Sequence, residues 1–201
     1  MGLDDAFEKA WDDLKHMNIQ EMCHLAAVPP PDSKGRVWVP LLGENFAVHL
    51  EDKKVLLDGI EEARPDKGLI VLHYLIGAMS IEPTGSLVSF RELKGGDVYW
   101  KAYEGRSILR LQDFFGDRPQ ALHKAVKGME HKRSSMGDVG YVITALPKVP
   151  VTVAIWGSDD ELPASANVLW DETVKYYLHT EDVAVMGGLV ASELIKRAPL
   201  E

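Results

Sequence analysis

Apolar residues follow two different periods along the chain. They recur at helical spacing from Leu3 to about Ala26, and again in the stretch Lys67–Ser80, where they share one face. Between these stretches, Arg36–Leu42 and Phe46–Leu50 are short and β-branched or alternating, with a Gly-Glu-Asn sequence between them. This pattern predicts two helical stretches separated by a β-hairpin, with residues 54–57 as a candidate third strand.

The second half of the chain mixes both patterns. Two helices are predicted over Ser107–Phe115 and Pro119–Met129, and a polar loop over His131–Asp138. Two strands follow, Gly140–Leu146 and Val151–Trp156. The second is almost continuously apolar, which is typical of a central strand buried on both faces.

A further strand and a last helix are predicted near the C-terminus. Residues Asn167–Trp170 are expected to pair with the buried strand across an acidic loop. Thr180 is expected to cap a helix that ends near Arg197, with two acidic residues opposing its dipole. Because helices and strands are interspersed without regular βαβ alternation, the prediction is an α+β fold. Residues 32–201 would form one compact domain, with a mixed or antiparallel sheet flanked by helices. Residues 1–31 would form an N-terminal helical arm and a Pro-rich link.

Composition excludes several classes of protein. The formal net charge of −9 argues against nucleic acid as a partner, because a phosphate backbone requires clustered Lys and Arg. A single cysteine, Cys23, excludes an internal disulfide and a multi-Cys metal site. The chain shows no signal peptide and no apolar run of about 20 residues. We therefore expect a cytoplasmic protein with no membrane partner.

Searches for catalytic motifs return nothing. The sequence contains no G-x-G-x-x-G after a strand, no P-loop, no G-x-S-x-G and no H-E-x-x-H. No recognisable pair of nucleophile and base accompanies the polar residues. The sequence therefore favours binding over catalysis and leaves any reaction open.

Two histidines stand out as candidate ligands. His73 lies on the apolar face of its predicted helix, as a hydrogen-bonded core residue or as an axial ligand facing a hydrophobic pocket. His179 precedes a helix start and follows Tyr176 and Tyr177, where it can contact an anionic group or remain without a ligand.

Acidic and aromatic clusters supply further candidates, each with a plain alternative. Asp159, Asp160 and Glu161, with Asp171 further on, suit a divalent cation or acid–base chemistry, or are solvated loop acids. Residues 90–92 with Tyr99, Trp100 and Tyr103 suit an aromatic pocket mouth, or an aromatic core edge with one ion pair.

Three stretches carry a family resemblance: LIVLHYLIGAM, SFRELKGGDVYW, and LPKVPVTVAIWGSDDELPASANVLWDETVKYYLHTEDVAVMGGL. Together they resemble the domain of unknown function 3786, from about Trp38 to Ile195. The resemblance implies little about function. It suggests a strict anaerobe, and corrinoid, haem or one-carbon metabolism as context. Some relatives carry a four-cysteine iron–sulfur module in front, which this chain lacks.

The leading hypothesis is a cytoplasmic protein that binds a small molecule or a cofactor, with haem or cobalamin as the cofactor to consider. The expected binding residues are His73, Arg91, Trp100, Trp156, Tyr177, His179 and Thr180. The expected metal ligands are His73, His179, Asp159 and Asp160. The alternatives are a metal-assisted hydrolase or lyase that uses the acidic loop, and a protein-interaction module. A second copy of the chain or a metalloprotein would be the macromolecular partner.

Overall fold

The computed structural model describes residues 2–199. Its helices are α1 (Leu3–Lys15), α2 (Ile19–Leu25), α3 (Pro65–Ile76), α4 (Gly96–Arg106), α5 (Ile108–Phe115), α6 (Leu122–Ala125), α7 (Val174–Tyr177) and α8 (Thr180–Arg197). Its strands are β1 (Arg36–Leu41), β2 (Glu44–His49), β3 (Lys54–Leu57), β4 (Glu61–Glu62), β5 (Leu87–Ser89), β6 (His131–Ser134), β7 (Val139–Leu146), β8 (Val149–Trp156) and β9 (Ser165–Asp171).

The strands form two antiparallel sheets. The smaller sheet has the order β1-β2-β3-β4, and its first two strands form the predicted hairpin. The larger sheet has the order β5-β9-β8-β7-β6, so the apolar strand β8 is central, as its sequence predicts. Helices pack around both sheets. The predicted α+β fold is therefore confirmed.

The N-terminal stretch contains two helices where the apolar period predicts one. The Oδ1 atom of Asn18 accepts hydrogen bonds from the backbone N–H groups of Gln20 and Glu21, so it caps α2 and interrupts the helix. Trp11 and Met22 are buried in the same hydrophobic core as the rest of the chain. Both helices pack on α3.

Several predicted boundaries are wrong. The first residues of the predicted polar loop form the edge strand β6, whose side chains are mostly exposed. The helix predicted from Pro119 to Met129 is a 3₁₀ turn followed by the single turn α6. Helix α4 was not predicted, because its sequence shows no apolar period. The N-cap of α8 is His179, and Thr180 is the first residue of the helix.

Tyr103 lies at the centre of the contact between α4, α8 and the larger sheet. Its ring stacks on that of Phe90 at 4.1 Å, and its hydroxyl accepts a hydrogen bond of 2.9 Å from the Trp170 indole. Gly187 of α8 packs directly against this ring, and a Cβ atom there would overlap it. A residue without a side chain is therefore required at position 187.

We expect Gly187→Ala to destabilise the protein by about 1–3 kcal/mol, because the buried Tyr103 ring has to move. The matched control is Gly188→Ala, whose Cβ would lie 3.6 Å from the Arg106 Cβ, an ordinary contact. It should be neutral or stabilising by up to about 1 kcal/mol, since Ala favours helix. Chemical denaturation measures both. Equal effects of the two substitutions would contradict this account.

A buried ion cluster joins the smaller sheet to α3 and α8. The Nζ atom of Lys67 lies 2.5 Å from Glu44 of β2 and 2.7 Å from Glu193 of α8. Burial raises the pKa of Glu193, but the hydrogen bond and charge of Lys67, with the charges of Lys196 and Arg197, lower it more. The pKa of Glu193 therefore lies below its ordinary value, and this carboxylate is charged in the folded protein.

Lys67→Met should destabilise the protein by about 3–5 kcal/mol, because it removes the one cation that hydrogen-bonds both largely buried carboxylates and leaves only Lys196 and Arg197, 3.6–3.9 Å away. Lys9→Met provides the comparison, since it breaks the exposed Lys9–Asp13 pair and should cost less than about 1 kcal/mol. Urea unfolding at constant pH gives both values. A loss for Lys67→Met no larger than for Lys9→Met would show that the cluster does not hold these elements together.

Candidate functional site

His73 is held in a fixed orientation by a carboxylate from a distant part of the chain. Its Nδ1–H donates a hydrogen bond of 2.7 Å to Oδ1 of Asp182, in the first turn of α8. The Asp182 side chain is only 9% exposed and that of His73 is 25% exposed. The other oxygen, Oδ2, accepts the backbone N–H of His179 at 3.2 Å. One carboxylate therefore orients His73 and caps α8.

His179 lies beside His73. The ring centroids are 6.5 Å apart, and the ring planes are nearly perpendicular, at 81°. Within residues 2–199, neither the Nε2 atom of His73 nor the ring nitrogens of His179 form a hydrogen bond. The fold thus places two imidazoles side by side, each with a nitrogen available to a ligand.

These imidazoles line a pocket of about 310 Å³. Helix α3 contributes His73, Ile76 and Gly77 to it, and the chain from residue 175 to residue 179 contributes the opposite side. The wall from α1 consists of Ala6, Lys9, Ala10 and Asp13. The volume lies near the lower end of the range for ligand pockets, about 300–1,000 Å³. The pocket is therefore large enough for a small molecule.

A second cavity adjoins the first at His179. It has a volume of about 610 Å³ and shares Lys175, Leu178 and His179 with the first pocket. Thr180 lines this second cavity, where its hydroxyl donates a hydrogen bond to the Lys94 carbonyl at 2.8 Å. A ligand larger than the first pocket would extend past His179 into this space.

The charges around the first pocket are mostly cationic. Lys9 and Asp13 form an ion pair of 2.6 Å across one turn of α1. The ammonium of Lys175 lies 5.2 Å from the centre of the Tyr176 ring and has no carboxylate within ion-pair distance among residues 2–199. The pocket mouth therefore carries an uncompensated positive charge in a chain of net charge −9.

The comparison with protein families identifies the chain. The family model described as domain of unknown function (DUF3786) matches residues 18–193, most of the sequence. The chain belongs to the DUF3786 family. No curated protein matches it significantly, and neither does any solved structure. His73, His179 and Asp182 all lie inside the region matched by the DUF3786 model, whereas α1 precedes it.

Of the residues that the sequence nominated in this DUF3786 chain, His73, Tyr177 and His179 come together in one pocket. The Tyr177 hydroxyl points elsewhere and donates to the backbone carbonyls of Met79 and Ile81. Burial raises the pKa of Tyr177, so its phenol stays protonated at neutral pH. Tyr177 therefore shapes the pocket, with its hydroxyl committed to the backbone.

The other nominated side chains do not line this pocket. The guanidinium of Arg91 lies 5.2 Å from the centre of the Trp100 ring, and its Nε atom donates a hydrogen bond to Asp97. The interactions of Arg91 are therefore with its neighbours in sequence. Trp156 is half-buried at the end of β8, opposite Ser165. These residues occupy surfaces away from the two imidazoles.

The nominated acidic residues are also separate from the pocket. The Oδ1 atom of Asp159 accepts the backbone N–H groups of Glu161 and Leu162, and these bonds lower the pKa of Asp159. Asp160 is exposed in the same loop. Within residues 2–199, no three His, Cys, Asp or Glu side chains are grouped so as to hold a metal ion. Nor is any helix of that range long and apolar enough to cross a bilayer.

Sequence reasoning missed several residues of the pocket. Asp182 enters the sequence prediction only as one of the two acidic residues at the start of the last helix, and Lys9, Asp13 and Lys175 are not among the predicted site residues. The spacing from His179 to Asp182 is that of an N-cap and the third helical residue, so the sequence could have indicated that Asp182 caps this helix. The partnership with His73 spans 109 positions of the sequence and has no local signature.

An imidazole oriented by a carboxylate has three chemical uses. It can donate its free Nε2 lone pair to a metal, accept a proton, or hydrogen-bond a ligand. Among the side chains that line the His73 pocket there is no Ser, Thr or Cys to act as a nucleophile.

Asp171, the remaining nominated acid, is buried and holds two loops together. It accepts hydrogen bonds from the N–H groups of Thr84 and Gly85 and from both the N–H and the hydroxyl of Thr173. Burial raises the pKa of its carboxyl, but the bonds from Thr173, Gly85 and Thr84 lower it more. The pKa of Asp171 therefore lies below its ordinary value, and its carboxylate stabilises the fold.

Because this pKa is lower in the folded state, the contribution of Asp171 to stability is complete above the unfolded-state pKa of about 3.9. It is lost as the pH falls through the folded-state value. Asp171→Asn should be less stable at pH 7 and should lose less of its remaining stability in acid. Denaturant midpoints across the acidic range measure this, with the exposed Asp160→Asn as control. Parallel pH profiles for wild type and Asp171→Asn would contradict the assignment.

Proposed function

We propose that this protein binds a small molecule or a cofactor in the pocket of His73 and His179. The observation that carries the proposal is the 2.7 Å bond from His73 Nδ1 to the buried Asp182, beside a second available imidazole. A core imidazole is expected to have both ring nitrogens hydrogen-bonded inside the protein, whereas Nε2 of His73 has no partner among residues 2–199. In this proposal, Nε2 of His73 is the atom that contacts the ligand.

The hydrogen bond from Nδ1 of His73 to Asp182 supports the proposal that Nε2 of His73 coordinates a metal. In metalloproteins, a ligating histidine almost always donates its other N–H to a carboxylate or a carbonyl, which fixes the ring and raises its basicity. His73 and Asp182 have this relation. The surroundings of Ile76, Ala10 and Leu178 are apolar, which suits a cofactor with a hydrophobic body.

Within this proposal, the cofactor class is a tetrapyrrole, either haem or a corrinoid. His73, through Nε2, and His179 are the residues that would hold the cofactor. The free ammonium of Lys175 suits the carboxylate groups on the haem ring, whereas the side chains on a corrin ring are neutral amides and only the phosphate of a nucleotide tail is anionic. A bound tetrapyrrole metal would supply electron transfer, gas binding or methyl transfer.

A cytoplasmic location is part of the proposal. Cys23 is a buried free thiol, and burial raises its pKa, so it is unreactive inside the fold. This state suits a reducing compartment.

The test is a titration of the purified protein with haemin and with aquocobalamin, followed by visible absorption under anoxic conditions. We expect one of the two to give a saturable spectral shift with a stoichiometry of one. His73→Ala should abolish that shift. Asp182→Asn should weaken binding by about 10–100-fold, since it removes the charge that supports the His73 ring.

His24→Ala is the matched control, because His24 is an exposed histidine on α2 outside the pocket, and its loss should leave the titration unchanged. Far-UV circular dichroism and melting curves confirm that each variant is folded. The absence of a shift with both compounds would exclude a tetrapyrrole. A shift that survives in His73→Ala but not in His24→Ala would show that the ligand binds elsewhere.

A further inference from the structure

The larger sheet ends in a strand whose outer edge is open. The Glu130 carbonyl accepts a hydrogen bond from the Thr144 N–H, and the register pairs Lys132 with Val142. In an antiparallel pair, hydrogen-bonded and non-hydrogen-bonded positions alternate. The backbone N–H and C=O groups of His131 and Arg133 therefore point away from β7. Within residues 2–199, no other strand pairs with this edge.

The chain around this edge is basic, in contrast with the rest of the molecule. Residues 118–133 contain five of the 22 Lys and Arg residues, and one of the 31 acidic residues. Two histidines, His123 and His131, lie in the same stretch. A protein with a net charge of −9 thus has a local surface that attracts negative charge.

The guanidinium of Arg133 is held in place by neutral groups. Its Nη1 atom donates to Nδ1 of His123 at 3.0 Å, and its plane lies 5.1 Å from the centre of the Tyr141 ring. The Tyr141 hydroxyl also lies 2.8 Å from Nδ1 of His123. The other ring nitrogen of His123, Nε2, lies 2.7 Å from Oε1 of Gln120. These partners assign the ring proton to Nε2, which donates to Gln120.

No carboxylate lies within ion-pair distance of Arg133 among residues 2–199. Its position is nevertheless fixed by His123 and Tyr141, so little side-chain entropy remains to be lost on binding. Because side chains alternate along a strand, Lys132 projects to the other face, where it lines a cavity of about 280 Å³. Cations are therefore available on both faces of the open edge.

We propose that β6 binds an extended acidic segment of a partner protein, which adds to the sheet as a further strand. Backbone hydrogen bonds to His131 and Arg133 would supply affinity. Acidic side chains of the segment would alternate between Arg133 on one face and Lys132 on the other. This interaction does not involve the His73 pocket and does not depend on the function proposed for it.

The charges favour this partner over two others. A second copy that paired β6 with β6 would bring Lys132 and Arg133 of the two copies close together, and like charges are unfavourable across a strand pair. A long nucleic acid would extend past the basic stretch onto a chain of net charge −9, where it would be repelled. A short acidic segment avoids both penalties.

The test uses the full chain and a fluorescein-labelled peptide of repeating Glu-Glu-Val-Val, which presents Glu on both faces of a strand, with binding followed by anisotropy. We expect saturable binding that weakens as NaCl rises from about 50 mM to about 300 mM, because the contacts are partly ionic. Arg133→Gln should weaken binding by about tenfold, the value of one charge-assisted hydrogen bond. Lys101→Gln, an equal change of charge on the exposed face of α4, should not.

A second pair of measurements separates strand addition from simple charge attraction. A peptide N-methylated at alternate residues keeps its charge but cannot donate along one edge, so it should lose most of its affinity. His131→Pro removes an outward N–H without removing a bond to β7, and should weaken binding of the unmodified peptide. Melting curves verify that both protein variants fold.

Equal binding of the methylated and unmodified peptides would overturn strand addition, and equal affinity of wild type and Arg133→Gln would overturn the acidic partner. Tighter binding of a single-stranded oligonucleotide than of the acidic peptide would also overturn the choice of partner. A wild-type dimer that becomes monomeric in His131→Pro would assign the edge to a second copy and equally overturn it.

Discussion

Helix α3 is fixed against α8 by a buried ion pair and by a hydrogen bond to a buried carboxylate, and the pocket depends on this contact. Lys67 meets Glu193 at 2.7 Å, and His73 donates to Asp182 at the same distance. Removing ions such as Lys67 and Glu193 from water costs several kcal/mol each, which is recovered only where the partners meet in good geometry. A shift of α3 along α8 would break both interactions at once. The two interactions thus favour one register of the two helices, and that register brings the ring of His73 beside that of His179.

The cavity lies at the C-terminal end of α3, next to its contact with α7. Gly77 ends the helix directly against the backbone carbonyl of Tyr177, where no side chain would fit. The chain from α7 to α8 therefore passes close over the end of α3, and α1 covers it from the other side. The imidazoles and Asp182 come from the region that defines the family, whereas the α1 wall with Lys9 and Asp13 comes from residues before it. The two imidazoles and the outer wall thus have separate origins along the chain.

Periodicity predicted those elements whose burial follows from their own sequence. Strand β8 is apolar throughout and is central, and α5 and α8 lie close to their expected bounds. Strand β6 was missed because its sequence, His-Lys-Arg-Ser, has no apolar alternation. An edge strand with exposed side chains does not need any. The break at Asn18 was missed because the apolar spacing continues across it. In the pocket, the sequence predicts His73 from its position on a helix face and His179 from its position before a helix. It does not predict that Asp182 is the partner of His73, because that contact arises from tertiary packing.

The uneven charge of the chain determines where an anionic group is attracted. Acidic residues of α1 and of the loop after β8 contribute much of the negative charge, while Lys175 and the stretch 118–133 are locally positive. At physiological ionic strength, charges more than about 8 Å apart are largely screened from one another. An anionic group that approaches from solution therefore encounters weak net repulsion, and it is attracted within that distance of a cation such as Lys175 or Arg133. Local attraction prevails at short range at these two cations, because neither has a carboxylate within ion-pair distance among the residues described. Net charge and local charge thus act over different distances.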